Sequence, residues 1–249
     1  MTSEQARNVR KRGHDDAKEF ASLIGLPSDY QNDPQAKKDV IDLAGDAHSV
    51  KSGSKKWQIF LYPPSRFKKD TIFKRLNGLG QLLLDCLNVF PASFEDYKKN
   101  KILYKTALQK PMKKLKKKLE NEETLKAFFE KSFFNAGEVT YLTIKHGEAF
   151  YIFHGNDVAK VLAGNIAVEN SKARQRGQFN DQKVIFKFDD KTVGEIEMRN
   201  DSPVHFKEIK FWMQKNKTLD LLRKYITKIK KLKPKIIAYG KAIKTFRRY

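Results

Sequence analysis

The chain has 249 residues, with 51 Lys and Arg against 29 Asp and Glu, for a formal net charge of +22 at pH 7. A 40% apolar fraction that includes 18 Phe and 9 Tyr excludes disorder throughout, and a lone Cys excludes an internal disulfide or a Cys-based zinc site. So much positive charge repels itself in a compact chain, which makes a polyanion the expected partner: DNA or RNA first, an anionic membrane face second. No apolar run reaches bilayer length and the segment MTSEQARNVRKRG has no signal-like apolar stretch, so a soluble, cytoplasmic protein is expected.

In chain order, Ala17, Phe20, Ala21 and Ile24 recur at helical spacing and predict a helix over 14–24, with acids in its first turn. GLPSDYQNDPQ reads as a loop. Three short strands follow, DVIDL, HSVKSG and KWQIFLY, split by tight turns and stopped by Pro63 and Pro64. Leucines at helical spacing predict a helix over 70–89 that carries Cys86 as a buried, inert thiol. The stretch from Lys98 to Phe134 is helical and strongly basic. EVTYLTIKHGEAFYIFHG predicts a hairpin turned at His146-Gly147, and Asn156 an N-cap of the short helix after it. IAVENSKARQRGQFNDQ reads as a polar loop. KVIFKFDDKTVGEIEMRND reads as a second hairpin turned near Asp189-Asp190, and KEIKFWM as one more strand. The remainder reads as helix interrupted at Pro234. Tight turns between consecutive strands point to a mixed α/β or α+β fold and away from a doubly wound sheet.

Side chains alternate along a strand, so Ser49 and Lys51 share one face and His48 takes the other. Asp39 on the preceding strand and Glu19 on the first helix are the acids expected to join Ser49 and Lys51. Together they would set two carboxylates, a hydroxyl and an ammonium beside a basic surface. Carboxylates bind Mg²⁺, and an ammonium stabilises charge developing on a phosphodiester. Asp39 equally suits a strand-end cap, Lys51 a solvated edge lysine and Glu19 an exposed helical acid. Gln58 on the third strand is placed to hydrogen-bond a phosphate or an active-site group, or is an ordinary polar position on a half-buried strand.

This segment resembles the PD-(D/E)XK nuclease motif of type II restriction endonucleases, junction resolvases and repair nucleases. Matched residue by residue, Asp39 stands as the metal-binding Asp, Lys51 as the motif Lys and Glu19 as the helix Glu. Ser49 departs from the pattern, standing where the second acid is usual. The resemblance implies a core of helix, three-strand meander, helix and strand within residues 1–137, with 138–249 as a strand-rich recognition region and C-terminal helices. It implies Mg²⁺ held by Asp39, Glu19 and the Val50 carbonyl, with catalysis by Asp39, Lys51, Glu19, Ser49 and Gln58. The expected activity is sequence-specific cleavage of double-stranded DNA, by a homodimer if the site is palindromic, with a cognate DNA methyltransferase as genetic partner. A structure-selective or repair nuclease, or a non-catalytic nucleic-acid-binding protein, are the other readings.

Two segments carry donor and acceptor types suited to base edges. The loop at 169–180 offers Lys172, Arg174, Gln175, Arg176 and Gln178, and a strand end offers Arg199, Asn200 and Asp201. A solvated loop and a charged hairpin face are the plain alternatives. Glu195, Glu197 and Arg199, with Asp189 or Asp190 upstream, form a rival catalytic grouping. KPMKKLKKKLE reads as a phosphate-tracking helix or a solvated face.

Overall fold

A computed structural model of the chain describes residues 3–28, 40–53 and 55–246. In chain order the elements are α1 (Ser3–Leu23), β1 (Val40–Ile41), β2 (Ala47–Lys51), β3 (Lys56–Tyr62), α2 (Pro64–Lys69), α3 (Thr71–Arg75), α4 (Leu79–Asn88) and α5 (Phe94–Lys99). Next come α6 (Lys101–Leu119), α7 (Glu122–Phe134), β4 (Tyr141–His146), β5 (Ala149–His154), α8 (Gly155–Asn165), β6 (Ala167–Asn170) and β7 (Lys183–Phe188). The last are β8 (Lys191–Arg199), β9 (Glu208–Gln214), α9 (Lys215–Tyr225), β10 (Ile229–Lys233), β11 (Ile236–Tyr239) and α10 (Ala242–Thr245). The fold is mixed α/β. Two compact units divide it, one of residues 1–57, 129–162 and 215–249, the other of 58–128 and 163–214. No helix among the described residues is long and apolar enough to cross a membrane.

The first unit is built on a six-stranded sheet in the order β1-β2-β4-β5-β11-β10. β2 runs parallel to β4 and β5 parallel to β11, while the other neighbours are antiparallel. α1 lies on one face because Phe20, Ala21 and Ile24 form a helical stripe, and that stripe meets Tyr141, Phe150, Ile152 and Ala238 in one buried cluster. Phe20 has no exposed surface and its ring centre is 5.2 Å from that of Phe150. Truncating a side chain buried in this way costs about 3–5 kcal/mol, which fixes α1 to the sheet.

The second unit carries a five-stranded sheet in the order β3-β9-β8-β7-β6. Its inner face sets Phe186, Ile196 and Phe211 out of solvent, with Phe128 of α7 5.0 Å from Phe211. α4 buries Leu79, Leu83 and Leu87, and α6 buries Leu108, Met112 and Leu115. Cys86 is buried in α4, as expected, and burial pushes its thiol far above the usual range.

Both expected hairpins form. The turn of the β7–β8 hairpin places Asp189 and Asp190 at φ 47° and 56°, the paired left-handed residues that a two-residue turn requires. Five expectations need correction. The three N-terminal strands do not make one meander: β1 pairs with β2, but β3 joins β9 in the other sheet. The helix expected over 70–89 is broken, because Asn77 and Gly78 adopt φ 46° and 79° between α3 and α4. α8 begins at Gly155 rather than after an Asn156 cap, and the Asn156 N–H donates to His154 Nδ1. Between Ile229 and Tyr239 the chain forms the β10–β11 hairpin, not a helix, because Pro234 cannot sit inside a helix and Ile236 and Ala238 pair with β5; α9 and α10 keep the expected helix on either side. A further strand, β6, occupies residues read as loop.

Candidate functional site

The β2 strand divides its side chains between the two faces of the first sheet. His48 is fully buried against α1, with ring centres 5.0 Å from Phe20 and 4.6 Å from Tyr141, and Val50 packs on the same core. Ser49 and Lys51 therefore share the opposite face, in register with Leu142 and Ile144. Ser49 is buried and Lys51 half-buried.

Glu19 does not join them. Its carboxylate pairs with Lys145, which also holds Asp16 at 2.6 Å, and reaches Lys235 at 3.6 Å. The Lys145 ammonium lies over the Phe150 ring, on the face covered by α1. Glu19 thus stands on one face of the sheet and Ser49 and Lys51 on the other. Burial pulls the Lys145 ammonium down, but Asp16 and Glu19 outweigh it and raise its pKa. Gln58 is exposed on β3, a strand of the second sheet. Asp39 lies outside the described residues. Among those described, no group of three or more His, Cys, Asp or Glu is arranged to hold a metal ion. Of the residues expected to hold Mg²⁺, Glu19 is therefore turned away from Ser49 and Lys51.

Sequence reading missed a polar network behind β2. Asp42 is buried; its Oδ1 accepts the N–H groups of Ala44 and Asp46, and its Oδ2 stands 3.3 Å from His48 Nε2. The other ring nitrogen of His48 is 3.0 Å from Thr143 Oγ1. Thr140 donates its hydroxyl to Asp46 at 3.0 Å. Burial, opposed by a Thr245 hydrogen bond and reinforced by Asp46 and Asp42, pushes the Tyr141 hydroxyl up to about 12. The network pins the β1–β2 turn to β4. Its one visible trace in the sequence is the pair of acids bracketing Leu-Ala-Gly, which also reads as an ordinary turn.

In the second unit the segment from Ser171 to Gln182 is a braced loop on α6. The Ala173 N–H donates to Asn180 Oδ1 at 2.8 Å, and the Arg174 N–H to Gln178 Oε1 at 3.1 Å. Gln182 Nε2 donates to the Lys105 carbonyl at 2.8 Å, Gln109 to the Asn180 carbonyl at 3.2 Å, and Lys113 pairs with Asp181 at 3.3 Å. The bracing turns Lys172, Arg174, Gln175 and Arg176 outward, all exposed. Lys172, Arg174 and Arg176 have no carboxylate partner among the described residues. Gln178, expected to read a base, instead holds the loop together. Between loop and helix lies a groove of about 710 Å³ lined by Lys113, Lys116, Lys172 and Asn180. Its two acids are engaged, Asp181 by Lys113 and Glu169 by Lys187.

The strand-end trio is satisfied internally. Arg199 grips Asp201 through two hydrogen bonds of 2.7 and 2.9 Å, which hold the Asp201 carboxyl below its usual range, and Asn200 donates to the Tyr97 hydroxyl at 2.8 Å. On the outer face of the same sheet, Lys183 pairs with Glu195 at 3.0 Å and Glu197 at 2.7 Å, and Lys210 meets Glu197 at 3.2 Å. Burial raises the Glu197 carboxyl, but Lys183 and then Lys210 outweigh it and hold it below the usual carboxylate range. Each acid of the rival grouping on β8 is therefore neutralised by a lysine.

Comparison with family models, curated proteins and solved structures found no match to the chain.

Proposed function

We propose that the protein is a sequence-specific endonuclease acting on double-stranded DNA, of the restriction type. The observation that carries DNA recognition is the braced loop on α6, which holds three cations outward without carboxylate partners beside a lysine-lined groove. A preformed loop limits the entropy lost on binding, and Arg side chains suit guanine edges while Lys suits phosphate. Lys172 would hold a phosphate, and Arg174, Gln175 and Arg176 would read bases.

Cleavage is supported by the resemblance of the segment DVID to SVKSG and by the shared face of Ser49 and Lys51. In this reading Asp39 supplies the carboxylate and Lys51 stabilises the charge that develops on the phosphate. Mg²⁺ is the ion the resemblance calls for, and Glu19 is left out of its coordination. The restriction role brings with it a cytoplasmic setting, a cognate DNA methyltransferase and, for a palindromic site, a homodimer. The position of Glu19 favours one second reading, a DNA-binding protein without cleavage.

Digestion of a mapped plasmid with Mg²⁺ separates these readings. Discrete fragments are expected, lost in Asp39→Ala and Lys51→Ala while duplex affinity stays within about twofold. Cleavage of branched DNA alone supports a repair role, and tight binding without any cut supports the second reading.

A further inference from the structure

The C-terminal part of the first unit carries a second basic surface, apart from the loop on α6. No Asp or Glu follows Asp220 in the sequence, although Lys and Arg recur to its end. Several of these cations are engaged within the fold. Lys233 donates to the Leu23 carbonyl at 2.7 Å, Lys235 pairs with Glu148 at 3.1 Å, and the Lys241 ammonium lies 4.0 Å from Asp157. Lys228, Lys230 and Lys231 differ. All three are exposed and none has an ion-pair partner among the described residues.

They lie on and just before β10, the last strand of the six-stranded sheet, which among the described residues pairs only with β11. Lys230 is in register with Ala238 and Lys231 with Ile237, so the two point to opposite sides of the edge, and Lys228 extends the row into the residues before the strand. Lysines on an edge strand commonly guard it against pairing with another chain. Guarding requires a charge or two on the strand itself. It accounts neither for the continuation ahead of the strand nor for the loss of the usual mixture of signs on a surface.

We infer that the β10 edge is a second phosphate-contacting surface, on which Lys228, Lys230 and Lys231 grip the backbone of duplex DNA without reading sequence. This rests on the DNA-binding reading above. An anionic bilayer is the weaker fit, because Ile229 is the one large apolar side chain exposed on this strand and offers little to bury in lipid.

The test is acylation of lysines in the wild-type protein with and without a 30-base-pair duplex, read residue by residue by mass spectrometry. Reactivity at the three positions is expected to fall severalfold on DNA. In the triple variant Lys228→Gln, Lys230→Gln, Lys231→Gln, the plot of log affinity against log salt is expected to become shallower by about 2–3, equally for specific and random duplexes. Unchanged reactivity with bound DNA overturns the inference and leaves the recognition loop standing, as does protection by anionic vesicles but not by DNA. Failure of the wild type to bind any duplex overturns the recognition loop and this surface together. Should the variant self-associate, the wild-type footprint alone decides.

Discussion

Glu19 and Lys51 occupy opposite faces of one sheet, and that separation makes a residue-level prediction. Glu19→Gln should leave the proposed DNA cleavage within about threefold of wild type while lowering stability by no more than about 1 kcal/mol, because Lys145 loses one of its two carboxylate partners. Cleavage assays beside urea titrations check it; loss of cutting at unchanged stability would return Glu19 to the chemistry. The parity of β2 was legible in the sequence, since alternation alone sets Ser49 and Lys51 against His48. The face taken by Glu19 was not. It depends on which side of the sheet α1 covers, and Phe20 and His48 decide that by meeting at 5.0 Å. The engagement of Arg199 by Asp201 was equally hidden, because a bidentate pair two residues apart forms only when the strand ends there.

At the scale of elements, the loop on α6 carries the proposed recognition. Its residues were legible as cations mixed with amides, yet their division of labour came from the fold: Asn180 and Gln178 brace the backbone, and Lys172, Arg174 and Arg176 remain outward. Arg176→Ala should weaken binding to the preferred site by about 1–3 kcal/mol and relax selectivity at one position. Lys172→Ala should weaken all duplexes alike. Gln178→Ala should act indirectly, lowering affinity by loosening the loop. Competition binding against a randomised site library distinguishes the three, and equal loss at every sequence for Arg176→Ala would reduce the loop to phosphate contact. The β10–β11 hairpin shows why local pattern misled elsewhere. KIKKLKPKII carries no apolar alternation strong enough to separate a strand from a basic helix, and pairing of Ile236 and Ala238 with β5 supplies the missing term.

For the whole molecule, +22 charges held in a compact chain destabilise it by mutual repulsion, and a polyanion that neutralises them should raise stability. The melting temperature is expected to rise by several degrees with equimolar duplex DNA in low salt. The rise should disappear near 1 M salt, where the screening length falls to about 3 Å. A melting temperature indifferent to DNA in low salt would remove the polyanion reading altogether. The same chain crosses four times between its two units, an arrangement invisible to composition because core residues of both units have the same apolar character.

By itself, the sequence determined the properties that depend on near neighbours: the mixed α/β class, the two hairpins, the burial of Cys86, the shared face of Ser49 and Lys51, and the excess of positive charge. Tertiary structure alone decided which strands share a sheet, so that β3 leaves the strands beside it. It also decided which side of the sheet receives α1 and which charged groups meet a partner. Those outcomes come from contacts between residues far apart in the chain, and periodicity, which counts only local spacing, carries no term for them.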